Sequence, residues 1–260
     1  LTHTFIYNDI ESLERLFTEY PQQIAAVILE PVNVSPPQEN YLKMVRDRTH
    51  EHGSVLIFDE MITGFRLAQG GAQEYYGVIP DLATFGKGLA NGYPLAALVG
   101  RREIREDLEE VFFSFTFGGE TLSLAAALAN LEKLQQGHVI QTFWQRGETL
   151  WAGVKDLIQK HDVGHIVSLG GLPVWSFLLL HEVPPYSQLE IRSLLLQEMF
   201  SRGILFIGTH NISYAHSNAD IEELLSVYDQ VFPILKRAVS DKTLEKILIS
   251  DPLRPLFKIR

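Results

Sequence analysis

The sequence predicts an α/β fold, a mostly parallel sheet with flanking helices followed by a smaller α+β region. Two apolar runs, AAVILEPV (25–32) and SVLIFDEM (54–61), run into carboxylates, as buried parallel strands do when their C-terminal ends face a site. The segment between them, NYLKMVRDRTHEHG, carries apolar Tyr41, Leu42, Met44 and Val45 and ends at Gly53, a C-cap residue type. Beyond this βαβ unit, short β-rich runs keep alternating with longer stretches of helical period.

Taken in order, YPLAALVG reads as a further strand and RREIREDLEEV as a charged surface helix. SFTFGGE leads into TLSLAAALANLEKLQQG, an alanine-rich stretch of high helix propensity. A long helix from about Val139 to Lys160 carries the chain into a second region. There HIVSLGGLPVWSFLLL, SQLEIRSLLLQEMFSRG, ILFIGTHNISYAH and SNADIEELLSVYDQVFPILKRAVS read as strand, helix, strand, helix. Ser217 opens the last helix as an N-cap, with Asp220 three positions on as an acidic capping-box variant. The expected division is 1–138 for the larger sheet domain and 139–260 for the connecting helix and small domain. No internal repeat or low-complexity tract interrupts this order.

Composition narrows the function. At 260 residues and 46% hydrophobic, the chain can bury a sizeable core. A formal charge of −10 argues against a generic nucleic-acid binder, which needs a basic face to displace counterions. The absence of cysteine removes disulfides, thiolate nucleophiles and Cys-based zinc sites. No apolar run approaches the roughly 20 residues that span a bilayer, so a soluble, cytoplasmic protein is expected. His50, Glu51 and His52 lack the H-E-x-x-H spacing of a zinc site. Arg101, Arg102 and Arg105 sit among acids as a solvated face, and His210 and His216 read as core or surface histidines.

Lys87 in FGKGLANGYP is the candidate reactive group. Flanked by Gly86 and Gly88, it follows Asp59 by 28 positions, and both would end strands that open on one crevice. A primary amine becomes a Schiff-base nucleophile beside a bound carbonyl; pyridoxal phosphate supplies one, with a carboxylate such as Asp59 to hold the ring-nitrogen proton. Glycines on both sides would let a flat ring approach. A P-loop fails on both flanks, since Gly88 follows the lysine and residue 81 is Asp. On residue type alone a lysine is most often a surface charge and a strand-end Asp often a helix cap, and those readings stay open here.

LIFDEMITGFRLAQGGAQEYYGVIPDLATFGKGLANGYPLAALVGRREI resembles the class-III aminotransferases of fold type I, above all the branch that includes glutamate semialdehyde aminomutase. IFDE, TGFR, GGAQEYYGVIPDL and GKG arrive in order and at that family's spacing, and the resemblance runs from about Ala25 to the last helix. It implies a pyridoxal 5'-phosphate enzyme in which Lys87 forms the Schiff base and shuttles the proton. It further implies that Asp59 partners the ring nitrogen, that Met61 packs on a ring face and that Thr116 reaches across a homodimer to the neighbouring subunit's phosphate. The bland readings are a core methionine at 61 and a strand threonine before a Gly-Gly turn at 116.

Departures from the family shape the expected reaction. Ile62 replaces the glutamine of ω-amino-acid transaminases, as in the aminomutase-like branch. Gly208 or Thr209 stands near the glutamate tied to the aminomutase's gated chemistry, and GET (119–121) replaces the usual GNP. These favour transfer between an amino donor and a separate aldehyde or keto acceptor, such as an activated sugar, over an intramolecular aminomutase. A third reading is a silent remnant acting as an interaction domain. Residues 1–24 carry no counterpart of the family's glycine- and serine-rich phosphate loop. The chain is therefore expected to be the C-terminal part of an aminotransferase, binding the cofactor poorly or not at all by itself. Glu30 matches a family acidic position, and Arg66 suits either an anionic substrate group or a structural ion pair.

Overall fold

A computed structural model describes residues 1–106, 110–112 and 114–255. The chain divides into two compact units, Leu1–Gln141 and Thr142–Arg260. The first holds a four-stranded sheet in the order β1 (Ala26–Leu29), β2 (Val55–Asp59), β3 (Leu82–Phe85), β4 (Ala97–Gly100). The first three strands are parallel and β4 runs antiparallel to β3.

Helices α1 (Ile10–Glu19) and α2 (Tyr41–Glu51) cover one face of this sheet. Leu13, Phe17, Tyr41, Leu42 and Val45 pack there with Val27, Leu29, Leu56, Phe58, Ala83 and Phe85. Asp9 caps α1 by accepting the Ser12 N–H at 3.2 Å, and Gly53 follows α2 at φ +71°. The continuous apolar runs predict burial on both faces, and the structure departs from that. Strand alternation sends Ile28 and Leu98 to the opposite face, where they remain 57% and 45% exposed. No element among the described residues of this unit covers them.

Asp81 ties the strands together at their other end. Its carboxylate accepts the Leu56 N–H and meets His50 Nε2, each at 2.8 Å, and takes Arg101 Nη1 at 3.1 Å. Burial opposes its charge, yet these partners hold the carboxyl below the usual carboxylate range. Thus Arg101 is not merely part of a solvated face. The surface helix expected at 101–111 is described as α4 (Arg102–Glu106), and residues 107–109 lie outside the described set.

Next come α5 (Thr121–Gln136) and α6 (Val139–His161). Glu120 caps α5, accepting the Leu122 and Ser123 N–H groups at 2.9 and 2.7 Å, which gives GET at 119–121 a structural cause. In the second unit β5 (Val167–Leu172), β6 (Trp175–Leu180) and β7 (Thr209–Asn211) form an antiparallel sheet with α7 (Gln188–Ser201), α8 (Asn218–Ser240) and α9 (Leu244–Ile247). Its core joins Leu150, Val154, Ile166, Leu178, Leu194, Tyr228 and Phe232. Ser217 and Asp220 form the expected capping box.

Two strand expectations need correction in this unit. HIVSLGGLPVWSFLLL is a hairpin, not one strand, because Pro173 and Val174 turn the chain between paired Leu172 and Trp175. Gly171 at φ +83° permits it, since a Cβ there would sit 2.9 Å from Phe177 Cδ2. ILFIGTHNISYAH yields only the three residues of β7, because Gly208, at φ +105°, breaks the extended path. No described helix is long and apolar enough to cross a membrane.

Candidate functional site

Parallel strands β1, β2 and β3 end side by side, and each is followed by a polar residue of the site. Asp59 closes β2 and is paired in register with Thr84 of β3. Its Oδ1 accepts the Met61 N–H at 3.0 Å and the Thr84 hydroxyl at 3.4 Å. Among the described residues Oδ2 takes no protein hydrogen bond. Asp59 is half-buried, so its charge is anchored on one oxygen while the other remains able to accept a donor.

Lys87 follows β3 after Gly86 and opens a 3₁₀ turn, Lys87–Leu89. Its φ of +41° is a left-handed conformation that costs a non-glycine residue roughly 1 kcal/mol or more. The surroundings hold it there. Leu89 N–H donates to Gly86 O at 2.8 Å and Asn91 N–H to Lys87 O at 2.9 Å. Asn130, projecting from α5, donates through Nδ2 to Gly88 O at 2.6 Å and Leu89 O at 3.1 Å. Leu89 and Ala90 pack with Ala127 beneath. The side chain of Lys87 is exposed.

Met61 touches this turn. A Cβ on Gly86 would fall 2.8 Å from Met61 Sδ, so any larger residue before the lysine would push the flexible end of Met61 aside. Gly88 differs: a Cβ there would meet only Gly64 O at 3.7 Å, and no internal contact demands the glycine. The structure therefore brings Asp59, Met61 and Lys87 together. Thr116 sits in an exposed turn at 116–119, without a hydrogen bond to the other three among the described residues.

Glu30, just past β1, belongs to the same cluster. Burial and the Asp59 charge raise its carboxyl above the usual range, while Lys87 and a 3.0 Å hydrogen bond from Asn33 Nδ2 act against the rise. Glu60, next to Asp59, turns to the other side of β2 and is wholly buried. It accepts the Ala72 and Gln73 N–H groups at 2.8 Å and the Thr63 hydroxyl, capping α3 (Ala72–Tyr76). Burial holds the Arg66 guanidinium below its ordinary value. Among the described residues no group of three or more His, Asp or Glu is placed to hold a metal.

Sequence reasoning missed Asn130, Thr84 and Glu60. Asn130 leaves one trace, a poor helix former within an alanine-rich helix.

The residues present fit a planar cofactor bearing a ring-nitrogen proton and an aldehyde. An amine, a half-free carboxylate and a thioether converge, and Gly88 leaves the backbone approachable.

The sequence profile of Aminotransferase class-III matches residues 3–221. Glutamate-1-semialdehyde 2,1-aminomutase from Sulfurihydrogenibium azorense is 36% identical over 251 residues, covering 90% of this chain and 59% of that protein. The enzyme of the same name from Aquifex aeolicus is 32% identical, covering 93% and 59%. Among solved structures, the FumI protein of a Sphingopyxis species, in its PLP internal aldimine form, aligns at TM-score 0.83 and 26% identity, covering 95% of this chain and 60% of that one. An omega-transaminase from Sphaerobacter thermophilus aligns at 0.77 and 25%, covering 88% and 56%. The chain thus spans less than two thirds of the length of these relatives. With a family profile over most of its length, and with Lys87, Asp59 and Met61 gathered at the strand ends, the chain belongs to the class-III aminotransferases.

Proposed function

We propose that this chain carries the lysine side of a pyridoxal-phosphate site that moves an amino group between an amino donor and an aldehyde or keto acceptor. The observation that carries this reading is the convergence of Lys87, held at φ +41°, with Asp59 and Met61 at adjacent strand ends. When bound, pyridoxal phosphate supplies a reactive aldehyde carbon and a ring that withdraws electrons. Lys87 Nζ is the proposed point of Schiff-base attachment, and the same nitrogen takes and returns the proton of the substrate carbon. Asp59, whose Oδ1 accepts the Met61 N–H and the Thr84 hydroxyl, would accept a hydrogen bond from the protonated ring nitrogen. Met61 would supply an apolar contact to the ring, and Gly88, whose Cβ would meet only Gly64 O at 3.7 Å, would leave the backbone approachable.

Thr116, on its exposed turn, is proposed to bind the phosphate held by a partner subunit in a homodimer. The uncovered sheet face beside Asp59 supports a further proposal, that the phosphate cradle and second ring-face contact come from outside the described residues. Residues 1–138 then form part of the cofactor domain and 139–260 the smaller domain.

The aminomutase names of the similar proteins favour a second reading, intramolecular transfer. Both readings are tested by incubating the protein with pyridoxal phosphate and pairs of amines and carbonyl compounds. Transfer requires both partners and disappears in Lys87→Ala, whereas a mutase turns over a single amino-carbonyl substrate. Turnover that persists undiminished in Lys87→Ala overturns both.

A further inference from the structure

The turn that carries Lys87 is pliable by composition and fixed by its contacts. Gly86 and Gly88 flank the lysine with the most permissive residue type, and Lys87 itself stands at φ +41°, where a side chain is disfavoured. Three successive carbonyls of the turn are nevertheless held. Lys87 O accepts the Asn91 N–H at 2.9 Å, while Gly88 O and Leu89 O accept from Asn130 Nδ2 at 2.6 and 3.1 Å, one for each of the two donors that an amide nitrogen carries. Among the described residues no other side chain hydrogen-bonds residues 86–91.

Helix α5 brings Asn130 to this place. Ser123, Ala127 and Leu134 are its buried residues, and Asn130, three positions after Ala127 and four before Leu134, shares their face. Ala127 packs with Leu89 and Ala90, and Leu131 lies against the same group. The helix gains nothing from an asparagine in its interior, where alanine is the better former. What the half-buried amide does is fasten a glycine-flanked turn to a 16-residue helix more than 40 positions along the chain.

Resting on the amino-group-transfer reading above, we propose that Asn130 is a positioning residue for Lys87. By holding Gly88 O and Leu89 O against α5, it keeps the lysine backbone left-handed and presents the amine to the cofactor aldehyde from one direction. This matters most while the amine is free of the cofactor and carries the proton of the substrate carbon, because its exposed side chain is then placed only by its own backbone. Without the clamp, Lys87 relaxes to a right-handed or extended conformation, which re-aims its Cβ and moves Nζ away from the aldehyde.

The test compares wild type, Asn130→Ala and Asn130→Leu, two substitutions that suit a helix and differ in volume while both remove the donors. Each protein is mixed with pyridoxal phosphate at a concentration that also labels surface lysines, trapped with borohydride over a time course and mapped by mass spectrometry. Exposed Lys155 of α6 serves as the internal reference. Amide hydrogen exchange without the cofactor reads the N–H groups of Leu89 and Asn91 and those of β2 and β3. Both variants are expected to lower the Lys87-to-Lys155 labelling ratio by about tenfold, as the loss of two neutral hydrogen bonds implies. Exchange at Leu89 and Asn91 is expected to speed up by a similar factor while β2 and β3 stay protected. A ratio unchanged from wild type overturns the inference, as does a fall in the alanine variant alone, which assigns the effect to filled space. A fall accompanied by lost protection along β2 and β3 also overturns it, by making Asn130 a general support of the fold. A wild type whose Lys87 is labelled no faster than Lys155 overturns the amino-transfer reading itself, and this inference with it.

Discussion

Acidification is predicted to destabilise the second unit through one histidine. His210, on β7, is 4% exposed and bridges two buried hydroxyls, with Ser176 Oγ 2.8 Å from Nδ1 and Tyr228 Oη 2.7 Å from Nε2. Phe206 stacks on the ring at 5.4 Å. Burial pushes its pKa from 6.5 down to about 4. The folded form therefore binds fewer protons than the unfolded chain between those values, so stability is full above pH 6.5 and falls as the pH drops toward 4. Linkage gives a loss of about 2 kcal/mol at pH 5 and about 3 kcal/mol at pH 4, relative to pH 7. Urea unfolding followed by tryptophan fluorescence reads this unit selectively, because Trp144, Trp151 and Trp175 all lie in it. His210→Gln removes the titration, and subtracting its pH profile removes the shared contribution of other groups. If the wild-type and variant profiles run parallel between pH 7 and 5, the reasoning fails.

Three further substitutions probe the frame of the site. Glu60→Ala strips the acceptor from the Ala72 and Gln73 N–H groups and from Thr63, and is expected to cost about 3 kcal/mol; hydrogen exchange at Ala72 and Gln73 should speed up, and unchanged protection would contradict the capping role. Asp81→Ala leaves the buried Leu56 N–H without its side-chain acceptor and parts His50 from Arg101, with an expected loss of about 2–4 kcal/mol in the first unit, read by exchange along β2 and β3. Ser217→Ala removes the capping box of α8 at a cost of about 1 kcal/mol in the tryptophan-monitored unit.

Legibility in the sequence followed the range of the interactions. Asp59 and Lys87 stood out as candidates because a strand-end carboxylate and a glycine-flanked lysine are local patterns, whereas Met61 was picked out only through the family resemblance. The Ser217–Asp220 capping box is equally local. Asn130 was not legible, since its two bonds to Gly88 and Leu89 span more than 40 residues. Glu60 was hidden by its neighbour: an acidic pair on a strand sends its members to opposite sides, and only one can join the site. The hairpin around Pro173 was masked by an apolar run that continues through the turn. Uncovered Ile28 and Leu98 look in sequence like any buried strand residues, because an apolar run does not say which of its faces is packed.

The central claim is that Lys87 is the amine of the site. The protein is mixed with pyridoxal phosphate, the lysine–cofactor bond is trapped with borohydride, and the modified peptide is identified by mass spectrometry. The account predicts modification concentrated on Lys87, weakened in Asp59→Asn and lost at that peptide in Lys87→Ala. Label spread over exposed lysines, with Lys87 no more modified than the rest, would contradict it.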